Sequence, residues 1–213
     1  VPMGEWILRR ACRQTKAWHD AGIVAPDTLI SVNLSAKQFD QSNLIGMIDE
    51  VLRESGLNPA NLELEITEST MMRSVDLSGR ILQQLRELGV KVAIDDFGTG
   101  YSSLSHLKLL PLTKLKIDQS FVSDIPHDAN DVAIAKAVIA LAYRLSLEVL
   151  AEGVETPEQR MFLTQEGCHS AQGYLFSRPL SASDFESYVH GMKQAGEGPA
   201  AIPISRKKKR VPA

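Results

Sequence analysis

The sequence predicts an α/β protein built as a TIM-like barrel, in which parallel strands alternate with helices. Strand-like and helix-like segments alternate six times along the chain, as in βαβ units. In each of the first five strands, residues of one parity are aliphatic, whereas the opposite parity carries a polar residue at or just after the carboxyl end. An aliphatic face against outer helices and a polar rim at the strand ends are typical of a barrel with its active site at that rim.

The individual elements are predicted from the period of the apolar residues and from signals at the ends of helices. The predicted strands span residues 29–34, 62–67, 90–95, 113–117, 147–151 and 171–174. The predicted helices span residues 4–21, 43–55, 74–88, 129–145 and 181–193, with one more beginning at Pro157. Gly56 and Gly89 are predicted C-caps, and Thr156 is a predicted N-cap. The predicted buried face of the first helix contains Trp6, Ile7, Cys12 and Trp18.

The number of strands is smaller than a closed barrel needs. Such a barrel has eight strands and about 250 residues, whereas six strands are predicted in these 213 residues. Because a helical pattern begins almost at residue 1, we expect a barrel that lacks its first two strands. We expect this domain to span residues 1–195 and the Gly/Pro-rich, basic residues 196–213 to form a disordered tail. An open doubly wound sheet is the alternative, but no glycine-rich phosphate loop follows an early strand.

The composition is that of a globular protein, with 44% hydrophobic residues and a formal net charge of −3. This slightly acidic balance gives no basis for a duplex nucleic acid partner. Charged residues interrupt the most apolar helical region and no signal peptide is visible, so we expect a cytoplasmic domain, with any membrane anchor upstream in the parent chain. Cys12 and Cys168 lack metal-site spacing, and the five histidines form no zinc motif.

Asp95 and Asp96 form the centre of the predicted rim. They follow a buried strand and precede Gly98 and Gly100. Neighbouring side chains on a regular strand point to opposite faces, so both carboxylates can serve one site only if the strand stops there and the backbone turns. Glycine permits such a turn. The alternative interpretation is an aspartate that caps a following helix.

The polar residues at the strand ends form a predicted metal site. They are four carboxylates and one amide, namely Asn33, Glu65, Asp95, Asp96 and Glu152. Oxygen ligands suit Mg²⁺ or Mn²⁺, and adjacent carboxylates allow one of them to bridge two ions, an arrangement used for in-line phosphoester displacement. Lys116 lies on the same face. It is predicted to hold a phosphate oxygen or the attacking water, to neutralise nearby carboxylates, or to do both.

Three further polar residues near the rim carry weaker predictions. Glu68 is expected either to cap the following helix or to hold the loop after Asp96. Glu155 follows Glu152 by three residues and has the same two interpretations. Gln172, on the last short strand, is a candidate for hydrogen bonding to a ligand or a water molecule.

These segments together resemble a known family. Residues 95–104, Asp-Asp-Phe-Gly-Thr-Gly-Tyr-Ser-Ser-Leu, closely resemble the signature loop of EAL-domain cyclic-di-GMP phosphodiesterases. The resemblance continues in Val-Asn-Leu-Ser at 32–35, Leu-Glu-Ile-Thr-Glu at 64–68, Leu-Lys-Ile-Asp at 115–118, Ala-Glu-Gly-Val-Glu-Thr at 151–156 and Gln-Gly-Tyr-Leu-Phe-Ser-Arg-Pro at 172–179. The segments occur in the family's order and spacing as far as about Met192.

The resemblance implies a modified TIM barrel that hydrolyses cyclic-di-GMP to linear pGpG with Mg²⁺ or Mn²⁺, using two ions. Carried over by motif, Asn33, Glu65 and Asp95 are similar to the ligands of the first ion. Asp95 is similar to the residue that bridges to the second ion, and Asp96 to a ligand of that ion. Glu152 is similar to the residue that serves as second-ion ligand or general base.

The resemblance also implies roles around the metal site. Lys116 resembles the lysine that positions the nucleophilic water, and Gln172 a residue that lines the substrate pocket. Glu68 resembles the glutamate that anchors the loop from Phe97 to Ser103, through which the family couples dimerisation to metal binding. Apart from the resemblance, Glu155 is predicted to anchor a loop as Glu68 does, because it follows Glu152 as Glu68 follows Glu65. A homodimer through this loop is therefore expected.

The chain departs from the family in one respect: it does not contain the Glu-Ala-Leu motif that names the family. The resemblance places that motif, whose glutamate binds the first ion, on a strand upstream of Val1. We therefore expect a bacterial signalling protein with an upstream sensor or cyclase domain, and weak or absent hydrolysis by these 213 residues alone. The alternative is a non-catalytic cyclic-di-GMP receptor or protein-interaction scaffold. Degenerate receptors usually lack metal ligands, whereas every ligand that this segment would supply is present.

Overall fold

Six parallel strands form one sheet, in the order in which they occur along the chain. They are β1 (Ile30–Asn33), β2 (Leu62–Thr67), β3 (Lys91–Phe97), β4 (Lys114–Ile117), β5 (Glu148–Ala151) and β6 (Ser170–Ala171). The sheet curls into a half-barrel, which confirms the predicted TIM-like fold with fewer than eight strands. The computed structural model describes residues 2–98 and 107–194, so the predicted tail and most of the loop from Phe97 to Ser103 lie outside the described residues.

Eight α-helices are described in these two ranges, besides two short 3₁₀ helices. They are α1 (Pro2–Asp20), α2 (Ala36–Phe39), α3 (Leu44–Ser55), α4 (Glu68–Met72), α5 (Val75–Glu87), α6 (Ala129–Arg144), α7 (Pro157–Gln165) and α8 (Ala182–Gln194). The short helices α2 and α4 were not predicted, because one turn is too short to show a period. Within the described residues, no helix combines the length and the apolar content needed to span a bilayer.

The chain divides into two compact units, Val1–Pro179 and Leu180–Ala213. The first unit contains the sheet and helices α1 to α7, and the described part of the second consists mainly of α8. The expected domain limit at residue 195 stays a prediction.

The helix ends follow the predicted chemistry. Gly56 ends α3 in the left-handed conformation, with φ of 68°, and its N–H donates to the carbonyl of Leu52. The Thr156 side chain accepts a hydrogen bond from the N–H of Gln159, and the Gln159 side chain accepts one from the N–H of Thr156. Pro157 occupies the first helical position. These two predicted caps are confirmed. The prediction for Gly89 was off by one residue, because Leu88 is the C-cap of α5 and Gly89 follows it with φ of 87°.

The aliphatic parity of the strands forms the core beneath the helices. Six strand residues are at most 1% exposed, namely Leu64, Ile66, Val92, Ile94, Leu115 and Ile117. Each such side chain contributes roughly 1.5–3 kcal/mol on burial. Because this face is apolar, the opposite parity of the same strands faces the inside of the half-barrel.

The buried face of α1 was predicted only in part. Cys12 is fully buried, as predicted, but Trp6 is 64% exposed and Ile7 is 44% exposed. The face turned inward instead carries Leu8, Cys12 and Thr15, which recur at the helical spacing of three to four residues. The two large residues lie on another side of the helix, so size alone gave the wrong face.

Candidate functional site

Asp95 and Asp96 reach one rim through a β-bulge. The pairing of β3 with β4 shifts by one residue, so that these two aspartates lie opposite the single residue Lys116. Asp96 takes a φ of 55°, in a left-handed region that aspartate tolerates better than most residues. The prediction that the strand stops at Asp95 was wrong, since β3 continues to Phe97. The bulge, and not a turn, therefore brings both carboxylates to one rim.

Three carboxylates converge at this rim. Asp95, Asp96 and Glu152 each offer an oxygen, and these oxygens all lie within 4.8 Å of one another. Glu152 follows β5, and its N–H donates to the carbonyl of Ile117 at 3.1 Å, which holds it beside the end of β4. Like charges at such separations repel unless a cation or a proton intervenes. The group is therefore arranged to hold positive charge.

The pKa values of two of these carboxyls reflect their environment. Burial raises the pKa of Asp96, and the charges of Asp95 and Asp118 raise it further. Burial also raises the pKa of Glu152; contact with Lys116 opposes this, and the nearby Asp95 and Glu65 reinforce it. Both shifts favour binding of a proton or a cation at the rim.

Lys116 supplies the positive charge among the described residues of this cluster. Its side chain is 2% exposed, and Nζ lies 2.6 Å from Glu65 Oε2, 2.9 Å from Asp95 Oδ1 and 2.6 Å from Glu152 Oε1. Burial by itself lowers the pKa of Lys116, but its contacts with Glu152, Glu65 and Asp95 outweigh burial and raise the pKa above its ordinary value. The lysine is therefore charged at neutral pH, as the neutralising interpretation predicts.

The donor set fits a hard divalent cation. Asp95 Oδ1 is buried and forms an ion pair with Lys116, but it makes no aligned hydrogen bond with any residue that the structure describes. A buried acceptor oxygen without a hydrogen bond can still bind a cation. Carboxylate oxygens are the ligands that Mg²⁺ and Mn²⁺ prefer, so the residues present suit these ions.

Asn33 is the last residue of β1, and Glu68 directly follows β2. Asn33 ends the edge strand β1 opposite Glu65 in the ladder, and its side chain is exposed. Glu68 is buried, and its Oε2 accepts a hydrogen bond of 3.0 Å from the N–H of Gly98. Of its two interpretations, this contact matches the one in which Glu68 holds the start of the loop after Asp96.

Gln172 connects the acidic cluster to a cavity. Its Nε2 donates to Glu152 Oε1 at 2.9 Å. The cavity has a volume of about 380 Å³, and its lining includes Gln119, Gly153, Glu155, Gln172, Tyr174 and Arg178. Glu155 meets α7 through its backbone, whose N–H donates to Gln159 Oε1 at 2.7 Å. Its predicted role as a loop anchor stays a prediction.

Two glycines of the cavity wall were missed by the sequence reasoning. Gly153 has φ of 66°, and a Cβ there would lie 2.6 Å from Cβ of Gln119. A Cβ on Gly173 would lie 2.2 Å from the carbonyl oxygen of Val154. Their position directly after Glu152 and Gln172 was the available signal, since a glycine next to a polar rim residue marks a close backbone approach.

The pair of Glu63 and Lys114 was also missed. Their charged groups lie 2.8 Å apart, and both residues are buried. The signal was present in the sequence, because they share the inward parity of Glu65 and Lys116.

Comparison with known proteins decides the family. The model of the EAL domain matches residues 1–179. The chain belongs to the EAL domain family. This confirms the family that the motifs resemble.

The chain is similar to two proteins of Pseudomonas aeruginosa. The bifunctional diguanylate cyclase/cyclic di-GMP phosphodiesterase MucR is 50% identical over 189 residues, which cover 89% of this chain and 27% of MucR. The cyclic di-GMP phosphodiesterase NbdA is 45% identical over 191 residues, covering 90% of this chain and 24% of NbdA. The chain thus spans about a quarter of the length of these two relatives.

Solved EAL structures show the same fold. The cyclic-di-GMP complex of the PaMucR phosphodiesterase has a TM-score of 0.83 and 49% identity, and the match covers 86% of this chain and 74% of that one. The EAL domain of Mycobacterium smegmatis DcpA has a TM-score of 0.83 and 39% identity, with 88% and 84% covered.

Proposed function

We propose that this chain belongs to a phosphodiesterase that hydrolyses cyclic-di-GMP to linear pGpG. One observation carries the proposal: Asp95, Asp96 and Glu152 gather their oxygens within 4.8 Å, beside the buried charge of Lys116. The membership in the EAL family and relatives named as cyclic di-GMP phosphodiesterases give that cluster its substrate.

The residues that would hold Mg²⁺ or Mn²⁺ are Asn33, Glu65, Asp95, Asp96 and Glu152, with two ions bound. When bound, the ions would polarise the phosphate and make water a stronger nucleophile. Lys116 remains charged and holds either a phosphate oxygen or the attacking water. Glu152, whose pKa burial raises, lies within reach of the same space and accepts the proton of that water.

The cavity beside the cluster is the proposed place for a nucleoside of the substrate. Gln172 lies on its wall and touches Glu152, so a phosphate at the acidic cluster would bring its attached nucleoside to this wall. Gln172 is the proposed substrate contact there. Its hydrogen bond also fixes the orientation of Glu152 Oε1.

Glu68 and the loop after Asp96 form the proposed link to a second protomer. The hydrogen bond from Gly98 to Glu68 fixes the start of that loop within two residues of Asp96. A homodimer through the loop would thereby act on the metal site. The proposal further includes an upstream sensor or cyclase domain, because the matched segments make up only 27% and 24% of the two relatives. It also includes a cytoplasmic location.

Turnover tests the proposal. The parent chain and the 213-residue chain are incubated with cyclic-di-GMP and Mn²⁺, and pGpG is quantified by liquid chromatography. We expect hydrolysis by the parent chain, loss of at least a hundredfold in its Asp95→Asn variant, and weak or no hydrolysis by the 213 residues. Cyclic-di-GMP binding without hydrolysis by the parent chain would instead identify a receptor.

A further inference from the structure

Glu63 and Lys114 form a second charged pair, on the amino-terminal side of Glu65 and Lys116 in the same two strands. Glu63 is 1% exposed, and its Oε1 accepts hydrogen bonds from Lys114 Nζ at 2.8 Å and from Ser31 Oγ at 2.9 Å. Lys114 is also buried, and Nζ lies 3.8 Å from Oε2 of the exposed Glu148. We call Glu63 and Lys114 the lower pair, and Glu65 and Lys116 the upper pair.

The two pairs repeat the same geometry along the same two strands. Members of each strand are two residues apart, so both pairs point to the inner face. Both pairs also cross β3, which lies between β2 and β4. The β3 residue in register with Glu65 and Lys114 is Ala93, whose buried methyl group leaves room for a lysine side chain to pass over it.

The lower pair retains capacity for a second cation. Glu63 Oε2 is buried and makes no hydrogen bond with any residue in the described ranges. A buried carboxylate with an open acceptor oxygen attracts any cation within reach, because water cannot compensate it. Lys116 occupies the next inward-facing position along β4 after Lys114. Its ammonium group is such a cation.

We propose that Lys114 is a positioning residue that keeps Lys116 at the metal site. By neutralising Glu63, Lys114 removes the competing attraction, and Lys116 stays with Glu65, Asp95 and Glu152. Without Lys114, Lys116 turns toward Glu63 and leaves the acidic cluster. The inference rests on the proposed function only in taking that cluster as the place where divalent cations bind.

The proposal predicts an effect on metal affinity with a distinctive sign. Lys116 and a divalent cation compete for the same carboxylates, since like charges repel. If Lys116 leaves the cluster, the affinity for cations rises while turnover in the parent chain falls. Loss of structure at the site would lower both.

Calorimetric titration of the 213-residue chain with Mn²⁺ tests this. We expect Lys114→Met to bind Mn²⁺ at least tenfold more tightly than the unchanged chain. Adding Glu63→Gln should return the affinity to within about twofold, because a neutral amide no longer attracts Lys116. Glu63→Gln alone should leave the affinity unchanged, and Lys116→Met should abolish any further effect of Lys114→Met.

Unchanged or weaker Mn²⁺ binding by a folded Lys114→Met variant would overturn the proposal. Failure of Lys114→Met and of the milder Lys114→Gln to fold would also overturn it, because Lys116 is proposed to replace the missing partner of Glu63. If neither the parent chain nor the 213-residue chain binds Mn²⁺, the proposed function fails as well, whereas a measurable affinity that does not change with Lys114→Met rejects this inference alone.

Discussion

Lys116 Nζ lies 2.6 Å from Glu65 Oε2, so a lysine of β4 pairs with a glutamate of β2 across the intervening strand β3. On β3, Glu65 pairs with Ala93, which is small, whereas Lys116 lies opposite Asp95 and Asp96. It joins three strands into one charged unit. The acidic rim therefore carries its own counter-charge before any cation binds.

Removing that counter-charge should destabilise the fold when metal is absent. Lys116→Met leaves the buried Glu65 and Asp95 and the half-buried Glu152 without this cation. Breaking a buried pair typically costs about 3–5 kcal/mol. We expect a loss of that order in the free energy of unfolding, measured with urea in EDTA, and partial recovery with Mn²⁺.

Lys136→Met is the matched control for this prediction. Lys136 pairs with Glu166 at 2.9 Å, but its side chain is 48% exposed. Exposed pairs contribute about 0–1 kcal/mol, so the control should stay within that range. Equal losses in the two variants would show that the rim gains nothing from Lys116.

Asp96 should tolerate asparagine but not valine. Its φ of 55° lies in the left-handed region, which asparagine adopts readily and a β-branched residue does not. We expect Asp96→Asn to keep its melting temperature within about 2 °C and Asp96→Val to lose about 1–3 kcal/mol of stability. Both should lose Mn²⁺ affinity, because both lack the carboxylate. Equal stability of the two variants would mean that the bulge relaxes freely.

Gly173 should be intolerant of even one methyl group. Its missing Cβ would lie 2.2 Å from the carbonyl oxygen and 2.4 Å from the amide nitrogen of Val154. Gly173→Ala should therefore separate the loop after β6 from Val154 and lower the melting temperature. Gly46→Ala is the control: Gly46 lies in α3 with nothing within 4 Å of its missing Cβ, so it should gain about 0.5–1 kcal/mol. A neutral Gly173→Ala would contradict the close approach.

Cys12 and Cys168 should react slowly while the chain is folded. Burial raises the pKa of both thiols to about 11. At pH 8 roughly one thiol in a thousand is then ionised, and the thiolate is the reactive form. Ellman's reagent should label both thiols slowly at pH 8 and much faster in urea.

The same shift makes stability fall at high pH. Unfolded thiols lose their protons above about pH 8.5, whereas the folded chain keeps them up to about pH 11. The unfolded state therefore binds fewer protons between these values, and unfolding becomes easier as the pH rises through them. Chemical denaturation at pH 8 and pH 10 measures this, with Cys12→Ala/Cys168→Ala as the reference.

The sequence predicted the strands and the inward polar residues because both follow from alternation along one strand. Glu65, Asp95, Lys116 and Glu152 were grouped on that basis, and in the structure Lys116 contacts each of the other three. The contact between Gln172 and Glu152 was not foreseen, since it depends on how two loops meet after their strands end.

Features that depend on pairing between strands could not be predicted from one strand at a time. The bulge at Asp95 and Asp96 is a shift in register between β3 and β4, and no pattern within β3 reports it. The exposed Trp6 shows the same limit for a helix, because the inward face is chosen by the whole set of neighbours. The local sequence indicates whether a segment is a strand or a helix. The neighbouring strand or helix determines its register and which of its residues face inward.

The bulge also sets a rule for anyone who moves this site into another protein. Because Asp95 and Asp96 both lie opposite Lys116, this segment of β3 contains one residue more than the segment of β4 with which it pairs. A transplanted strand of matched length would send one of the two carboxylates to the outer, apolar face. A faithful graft must therefore carry the extra residue together with the left-handed backbone of Asp96.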